Sequence, residues 1–290
     1  MMQRATSTRA KEALKDALRR AGRALPRREG SRVVVLCYHS VHPSAPFRSA
    51  TPELFSDHLA WLRETCECIP FRQVLEAKAA DRGDCPTVSI TFDDGYSDNH
   101  EFALPLLVSS GMKATFFLTA GLVDEDPATL ERFRRLRAVD VIQSLGWEQA
   151  AELLQSGMEV GAHTYSHRNL ANLSDSELRH EVTHSKQLIE DRMACGVTTM
   201  AYPFGRPRVH FDERVLDAVQ QAGYEFAGTT TTRGVRTSDR PLSVPRMISM
   251  RDSVETLRDK VLGAWDLIGS VREKAPLALS KLVSPSDFEF

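Results

Sequence analysis

The sequence contains no long hydrophobic run. Its longest apolar stretches, such as 33–37 and 114–118, are far shorter than the roughly 18 residues that a membrane-spanning helix requires. The first 30 residues also lack the continuous apolar segment of a secretory signal peptide. We therefore expect a protein without a transmembrane segment. Its expected location is the cytoplasm, at most peripheral to the inner face of the membrane.

The sequence also has little net charge and few cysteines. Its 37 basic and 39 acidic residues give a net charge of −2, so the chain has no overall positive field that would bind nucleic acid. The 5 cysteines are odd in number, and Cys66 and Cys68 are too close together for an ordinary disulfide. This pattern favours thiols in a reducing compartment over a disulfide-stabilised secreted scaffold.

What is present is the composition of a globular protein. Hydrophobic residues make up 42% and charged residues 26% of the 290 residues, which is enough to bury a core. An α/β barrel fits this length as one domain. We predict a catalytic domain at 31–252, preceded by a helical extension at 1–30 and followed by a helical tail at 253–290.

The first 30 residues carry a local excess of positive charge, with nine Lys or Arg and three Asp or Glu. Leu14, Leu18, Ala21 and Leu25 recur at helical spacing, which predicts a short basic amphipathic helix ending at Pro26. Three interpretations stay open. The helix is solvated and packs loosely on the barrel, it makes weak contact with an anionic membrane surface through residues 1–28, or it is a mitochondrial-type targeting segment.

Apolar β-rich runs alternate with helical patterns along most of the chain. Strands are predicted at 31–41, 86–93, 113–119, 158–163, 199–204 and 224–230, and helices at 52–65, 71–80, 99–110, 147–156, 174–192 and 211–222. The charged segment 124–146 is expected to be an inserted loop or helix over one face. The alternation predicts an α/β sheet or barrel of six or seven parallel strands.

Polar side chains follow several of these strands. His39, the pair Asp93 and Asp94, and the pair His163 and His167 each come at a strand end. In an α/β barrel the carboxyl ends of the strands share one pocket. Two histidines and one carboxylate form the open ligand set of a catalytic metal site, and the second aspartate could serve as a base. The spacing alone does not say which aspartate has which role.

Four segments resemble the polysaccharide deacetylase family, also called the NodB-homology or carbohydrate esterase family 4 domain. VSITFDDGYSDN at 88–99 resembles its first motif, and WEQAAELLQSGMEVGAHTYSHRNL at 147–170 its second with the preceding helix. AYPFG at 201–205 resembles the third motif of the branch that includes the poly-N-acetylglucosamine deacetylases, and VVVLCYHSV at 33–41 its N-terminal strand. In that branch the last motif of the family is moved to the front by circular permutation.

The resemblance implies a distorted (β/α) barrel of about seven strands and metal-dependent deacetylation of a sugar. It implies that Asp93 is the catalytic base, that His39 protonates the leaving amine and that the backbone N–H of Phe204 stabilises the oxyanion. It also implies a divalent metal ligated by Asp94, His163 and His167. Zinc is the expected ion, with cobalt, nickel or iron as alternatives.

The chain departs from the family pattern at the third motif. The arginine that usually holds the base aspartate is replaced by Ala201. Arg246, in VPRMISM at the end of a late predicted strand, is the candidate substitute; a structural ion pair is the alternative. Arg206 and Arg208 follow the motif and either contact an anionic substrate or carry surface charge. No counterpart of the Asp-and-Trp fourth motif is found.

We therefore predict an N-deacetylase that acts on an N-acetylated amino sugar in a polysaccharide or its lipid-linked precursor and releases acetate. Its partner is this carbohydrate substrate; no nucleic acid partner is expected, and the oligomeric state is not predicted. Two alternatives are a metal-dependent hydrolase of another small amide and an inactive sugar-binding module.

Overall fold

The fold is a curled sheet of parallel strands surrounded by helices. A computed structural model describes residues 2–24, 32–44, 49–80 and 85–274, with side chains described from residue 13 onward. The strands are β1 (Val33–Tyr38), β2 (Ser40–Val41), β3 (Ser49–Ala50), β4 (Glu67–Cys68), β5 (Thr87–Phe92), β6 (Ala114–Leu118), β7 (Glu159–Ala162), β8 (Thr199–Ala201), β9 (Phe226–Gly228) and β10 (Met247–Ile248). Seven of them follow one path, in the order β10-β1-β5-β6-β7-β8-β9. The predicted barrel of about seven strands is confirmed, in the form of a half-barrel.

The order of the strands places the two ends of the domain side by side. β1 pairs in parallel with β5 on one side and with β10 on the other. β4 adds two residue pairs to the start of β5, and β2 pairs with β3 in a separate two-stranded sheet. Residues that follow β1, β5 and β10 are therefore neighbours in space although they are far apart in the sequence.

Helices connect the strands. They are α1 (Met2–Ala24), α2 (Pro52–Thr65), α3 (Val74–Ala79), α4 (Leu104–Ser110), α5 (Ala120–Val123), α6 (Pro127–Arg137), α7 (Trp147–Gln155), α8 (Asp175–Arg179), α9 (Ser185–Met193), α10 (Glu213–Gln221), α11 (Val254–Val261) and α12 (Asp266–Lys274). Two helices that the sequence predicts as regular contain five-residue π-helical turns, at Asn99–Ala103 and His180–His184. The inserted segment 124–146 contains α6.

The central strands are buried on both faces. Every residue of β1, β5 and β6 is buried, as expected for parallel strands that helices cover on both sides. Aromatic rings pack between these strands and α2; Phe92 stacks on Phe116 with ring centroids 4.8 Å apart. The strand predicted at 199–204 is shorter than expected, because the chain turns after Ala201 and Phe204 has a φ of 60°.

The two helical extensions pack against each other. Arg23 of α1 donates to Asp259 of α11 at 2.6 and 2.8 Å. A Cβ at Gly22 would lie 2.2 Å from the carbonyl oxygen of Ala264, so only glycine allows α1 to approach this closely. The end of the predicted basic helix is thus held by the C-terminal helices and does not pack loosely. The membrane contact and the targeting role stay predictions, and residues 275–290 of the predicted tail lie outside the described residues.

Within the described part of the chain, no helix combines the length and the apolar character that crossing a membrane requires.

Candidate active site

The turn after β5 carries the two adjacent carboxylates. Asp93 and Asp94 are 2% and 0% exposed. Asp94 has a φ of 79°, a left-handed conformation that is costly for a residue other than glycine. The N–H of Asp93 donates to the carbonyl of Tyr38, and the carbonyl of Asp94 accepts from Thr119, so neighbouring strand ends fix the turn. The two side chains consequently meet different sets of partners.

Asp94 faces the two histidines that follow β7. Its Oδ1 lies 3.5 Å from Nε2 of His163 and 3.5 Å from Nε2 of His167. All three residues are buried, and one ligand atom from each lies within 4.8 Å of the others. His167 also has a left-handed φ, of 56°. Two of the three residues in this cluster thus hold a strained backbone that directs their side chains to one point.

The donor atoms of this cluster fit a cation. Nδ1 of His163 lies 2.8 Å from the carbonyl of Ala201. Since a carbonyl only accepts, this nitrogen carries a proton, which leaves Nε2, directed at Asp94, as the nitrogen available to a cation. Oδ1 of Asp94 is buried and has no hydrogen-bond partner among the described residues. A buried, unsatisfied carboxylate oxygen facing two imidazoles is costly unless a cation lies between them, and this donor set suits zinc.

The other oxygen of Asp94 is held by a residue that the sequence did not identify as functional. Nη2 of Arg137, in the last turn of α6, donates to Oδ2 of Asp94. Nε of the same guanidinium donates to the hydroxyl of Tyr96 at 2.7 Å. The only signal in the sequence was the charge of the inserted segment 124–146, in which Arg132, Arg134, Arg135 and Arg137 cluster. That signal does not show which arginine reaches the site, because the choice depends on how α6 lies across the strand ends.

The charges of the cluster set its protonation states. Burial opposes the ionisation of Asp94, but the charge of Arg137 and the nearby histidines hold the pKa of this carboxyl well below its usual range. Burial lowers the pKa of His167 to about 3, which outweighs the attraction of Asp94. At neutral pH the cluster therefore offers an ionised carboxylate and an unprotonated imidazole.

Asp93 points to the opposite side of the turn and meets Arg246. Nη1 and Nη2 of Arg246 lie 2.6 and 2.7 Å from Oδ1 and Oδ2 of Asp93, a bidentate pair with neither side chain exposed by more than 3%. Arg246 comes immediately before β10, not at the end of a strand as the sequence suggested. A Cβ at Gly228 would lie 2.6 Å from Nε of Arg246, so glycine leaves the path along which this side chain reaches Asp93.

This pairing controls the charge and the direction of Asp93. Burial raises the pKa of Asp93, but the guanidinium of Arg246 overcomes that effect and lowers the pKa to about 2. Asp93 is therefore ionised at neutral pH and fixed in one orientation. That Arg246 replaces the missing third-motif arginine stays a prediction.

His39 approaches Asp93 from the end of β1. One of its ring nitrogens lies within 4.8 Å of a carboxylate oxygen of Asp93 and of the thiol of Cys37. The carbonyl of His39 accepts from the amide of Asn99 at 2.8 Å, which anchors the backbone. Burial lowers the pKa of His39 to about 4, so the ring is neutral at pH 7.

Phe204 lies next to the metal-ligand candidates. Its ring centroid is 4.8 Å from that of His167, and its backbone φ of 60° is left-handed. Its carbonyl accepts from the hydroxyl of Thr230 at 2.8 Å. The structure therefore places the residue at the site, and the use of its N–H as an oxyanion donor stays a prediction.

A family model for polysaccharide deacetylase matches residues 80–227, which is half of the chain. The match contains Asp93, Asp94, His163, His167 and Phe204, and it leaves out His39 and Arg246. His39 follows β1, which pairs with β5, and Arg246 immediately precedes β10, which pairs with β1. The pairing of β10 with β1 and of β1 with β5 brings His39 and Arg246 to the site.

Curated relatives cover most of the chain. YxkH of Bacillus subtilis (strain 168), which its name places among the polysaccharide deacetylases, is 29% identical over 72% of this chain and 68% of its own length. A poly-beta-1,6-N-acetyl-D-glucosamine N-deacetylase of Staphylococcus aureus (strain MRSA252) is 23% identical over 75% of this chain and 72% of its own.

Solved structures share the fold. A Streptococcus pyogenes deacetylase, PplD, in complex with acetate, superposes with a TM-score of 0.67 at 23% identity, over 80% of this chain and 99% of that one. IcaB from Ammonifex degensii superposes with a TM-score of 0.62 at 22% identity, over 81% of this chain and 98% of that one. At these identities the similarity establishes the half-barrel architecture.

Proposed function

This chain belongs to the polysaccharide deacetylase family of hydrolases, and we propose that it removes the N-acetyl group of an amino sugar in a polysaccharide or its lipid-linked precursor. The products are acetate and a free amine. The site residues of this proposal are the ones that the geometry brings together: Asp93, Asp94, His163, His167, His39, Arg246 and Phe204. The named activity of the S. aureus relative supports a β-linked N-acetylglucosamine unit as the substrate.

One observation carries the proposal. Two adjacent carboxylates are buried on one turn, and each has a separate arginine: Asp93 binds Arg246, while Asp94 binds Arg137 and faces two histidines. A cation site beside an ionised, oriented base is the arrangement that amide hydrolysis by water needs. An inactive sugar-binding module would not need an ionised base beside a cation site.

The site residues have separate roles in the proposed hydrolysis. Asp94, His163 and His167 would hold a divalent ion, which would polarise the acetyl carbonyl and make a water molecule more acidic. Asp93 accepts a proton from the attacking water, and Arg246 keeps that carboxylate pointed at it. The N–H of Phe204 donates to the developing oxyanion.

His39 delivers a proton to the leaving amine. Because its pKa is about 4, the ring has to gain this proton during the reaction. Asp93 is the source in this proposal, once it has taken a proton from water; a ring nitrogen of His39 lies within 4.8 Å of it, a gap that one water molecule can bridge. The role of His39 is thus to relay a proton across the short gap between the base and the leaving nitrogen.

Acetate release tests the proposal. The purified chain would be incubated with poly-β-1,6-N-acetylglucosamine oligosaccharides and with a lipid-linked N-acetyl sugar, each with zinc, cobalt, nickel or iron. We expect acetate from at least one substrate, dependent on the metal and abolished by a chelator. Asp93→Asn keeps the size of the side chain and removes the base, so it should release acetate roughly 10²–10⁴-fold more slowly.

The matched control is Asp191→Asn, an exposed aspartate on α9 that is remote from the site. It should keep the activity of the wild type. Metal-dependent turnover of a different amide, with no acetate from any sugar, would contradict the proposal and favour another hydrolase on the same fold. Full activity of Asp93→Asn would show that the base has been assigned to the wrong carboxylate.

A further inference from the structure

The ring of His39 lacks the kind of hydrogen bond that fixes another histidine of the site. Nδ1 of His163 donates to the carbonyl of Ala201 at 2.8 Å, which holds that ring in one orientation. Nδ1 of His39 is buried and has no hydrogen-bond partner among the described residues. The direction of the His39 ring therefore depends on how its backbone is held, because the side chain starts from its own Cα.

The segment that follows the two adjacent carboxylates holds this backbone. Nδ2 of Asn99 donates to the carbonyl of His39 at 2.8 Å and to Oδ1 of Asp98 at 2.9 Å. Asp98 also accepts from the hydroxyl of Ser40 at 2.5 Å and from the N–H of Val41 at 3.3 Å. Three successive residues, beginning with His39, are thus each bound by the pair Asp98 and Asn99.

These hydrogen bonds are shielded from solvent, and a second hydroxyl extends them. Ser49 of β3 donates to the hydroxyl of Ser40 at 2.7 Å, where β2 pairs with β3. Ser40, Ser49 and Asn99 are at most 3% exposed, and Asp98 is 6% exposed. Hydrogen bonds to a carboxylate are strong, and burial strengthens them further. The network therefore restricts the chain after β1 to one conformation.

Asn99 lies at the start of an unusual helical turn. It opens the π-helical turn Asn99–Ala103, and its carbonyl accepts from the N–H of Leu104, five residues later. Such turns are rare and are frequent at functional sites. The turn begins a few residues after Asp93 and Asp94. One short segment of the chain thus carries the proposed base, a proposed metal ligand and the groups that hold the backbone of the proposed proton donor.

We propose that Asp98 and Asn99 are positioning residues for His39, which hold the end of β1 so that the ring lies between Asp93 and the leaving amine. The proposal rests on the proposed function, because it concerns the proton that His39 delivers. A misplacement of about 1 Å can lower a rate about 100-fold. Loss of the network should therefore slow this proton transfer while the metal ligands and the base stay in place.

Substrates with different leaving groups separate this role from general support of the fold. An amine needs a proton to leave an amide, whereas the phenolate of 4-nitrophenyl acetate leaves without one. We expect Asn99→Ala and Asp98→Ala to lower kcat for the N-acetyl sugar about 10–100-fold and to leave kcat for the ester unchanged. Asp98→Asn keeps an oxygen that can accept from Val41 and Asn99, so it should retain most of the activity of the wild type.

A double-mutant cycle tests whether the pair acts through His39. His39→Ala should slow acetate release from the sugar about 10²–10⁴-fold. Adding Asn99→Ala should cause no further loss, because the ring that Asn99 positions is gone. Ser40→Ala removes a single hydroxyl from the network and should show a smaller loss of the same kind, so it replaces Asn99→Ala if that variant does not fold. Ser109→Ala changes an exposed serine on α4 and should match the wild type.

Two outcomes would overturn the positioning role. They are an equal loss on the amide and the ester, and a further loss in the His39→Ala background, because both indicate general damage to the site. A crystal structure of Asn99→Ala or Ser40→Ala gives a measure that does not depend on turnover. The His39 ring should be displaced by about 1 Å, and an undisplaced ring would contradict the proposal.

The proposed function and the positioning role fail differently. A wild type that releases no acetate from any sugar would contradict the proposed function, while a displaced His39 ring in the variants would still support the role of Asp98 and Asn99. Acetate release by a wild type whose variants keep the ring in place would support the deacetylase and overturn the positioning role.

Discussion

The adjacent carboxylates Asp93 and Asp94 lie on opposite sides of the turn after β5 and have different binding partners. On one side Asp93 meets a single arginine, which immediately precedes the last strand, with both oxygens bound. On the other side Asp94 gives one oxygen to Arg137 of an inserted helix and leaves the other facing two imidazoles. The comparison shows how one left-handed residue, by turning successive side chains apart, allows two identical groups to take up different roles.

The largest expected effect separates the two carboxylates by metal content. Asp94→Asn should lose the ion, because the amide is neutral, whereas Asp93→Asn should keep it. We expect the metal affinity of Asp94→Asn to fall by more than about 100-fold, beyond the usual effect of outer-shell changes. Elemental analysis after dialysis and metal titration measure both variants. Equal metal loss in the two variants would show that the carboxylates share the ion.

Breaking the ion pair between Arg246 and Asp93 should lower the stability of the protein. Arg246→Gln leaves a buried carboxylate without its counter-ion, and such a change costs about 3–5 kcal/mol in the free energy of unfolding. Chemical denaturation measures it. Arg214→Gln breaks an exposed ion pair with Asp175 and should cost about 1 kcal/mol or less. Similar losses in the two variants would mean that Asp93 finds another partner.

Breaking the contact between Arg137 and Asp94 should weaken metal binding. Arg137→Gln frees one oxygen of a ligand carboxylate, so we expect the metal affinity to fall about 10–100-fold with a smaller loss of stability. The matched control is Arg134→Gln, one turn earlier on α6, where the arginine pairs with Glu131 at the surface. If Arg134→Gln and Arg137→Gln bind metal alike, Arg137 does not position Asp94.

The smallest expected effect concerns a third carboxylate in the same segment. Asp98 accepts from Ser40, Val41 and Asn99, and burial raises its pKa to about 6, opposite to Asp93. Because its folded pKa is raised, the native state keeps the proton between about pH 4 and 6. The stability that this proton contributes is therefore lost as the pH rises through that window.

Asp98→Asn removes this titration. The difference in unfolding free energy, wild type minus variant, should fall by on the order of 2 kcal/mol between pH 4 and 6. Urea denaturation at several pH values measures the difference, with Asp191→Asn as the exposed control. A difference that stays constant with pH would mean that Asp98 is ionised throughout the window.

The sequence by itself determined which residues could carry the chemistry. Alternation of apolar strands and helices established a parallel sheet, and the placement of Asp93, Asp94, His163 and His167 after its strands indicated the site. These signals are local, because strand length and the turn that ends a strand depend on neighbouring residues. The resemblance to the deacetylases supplied the roles of the two aspartates.

Only the tertiary structure decided which arginines act on those residues. Arg246 reaches Asp93 because β10 lies beside β1, which in turn pairs with β5, and because Gly228 leaves the space. Arg137 reaches Asp94 because α6 crosses the strand ends. A sequence records the charge of each arginine but not its distance from a carboxylate more than 40 residues away, since that distance is set by how whole elements pack.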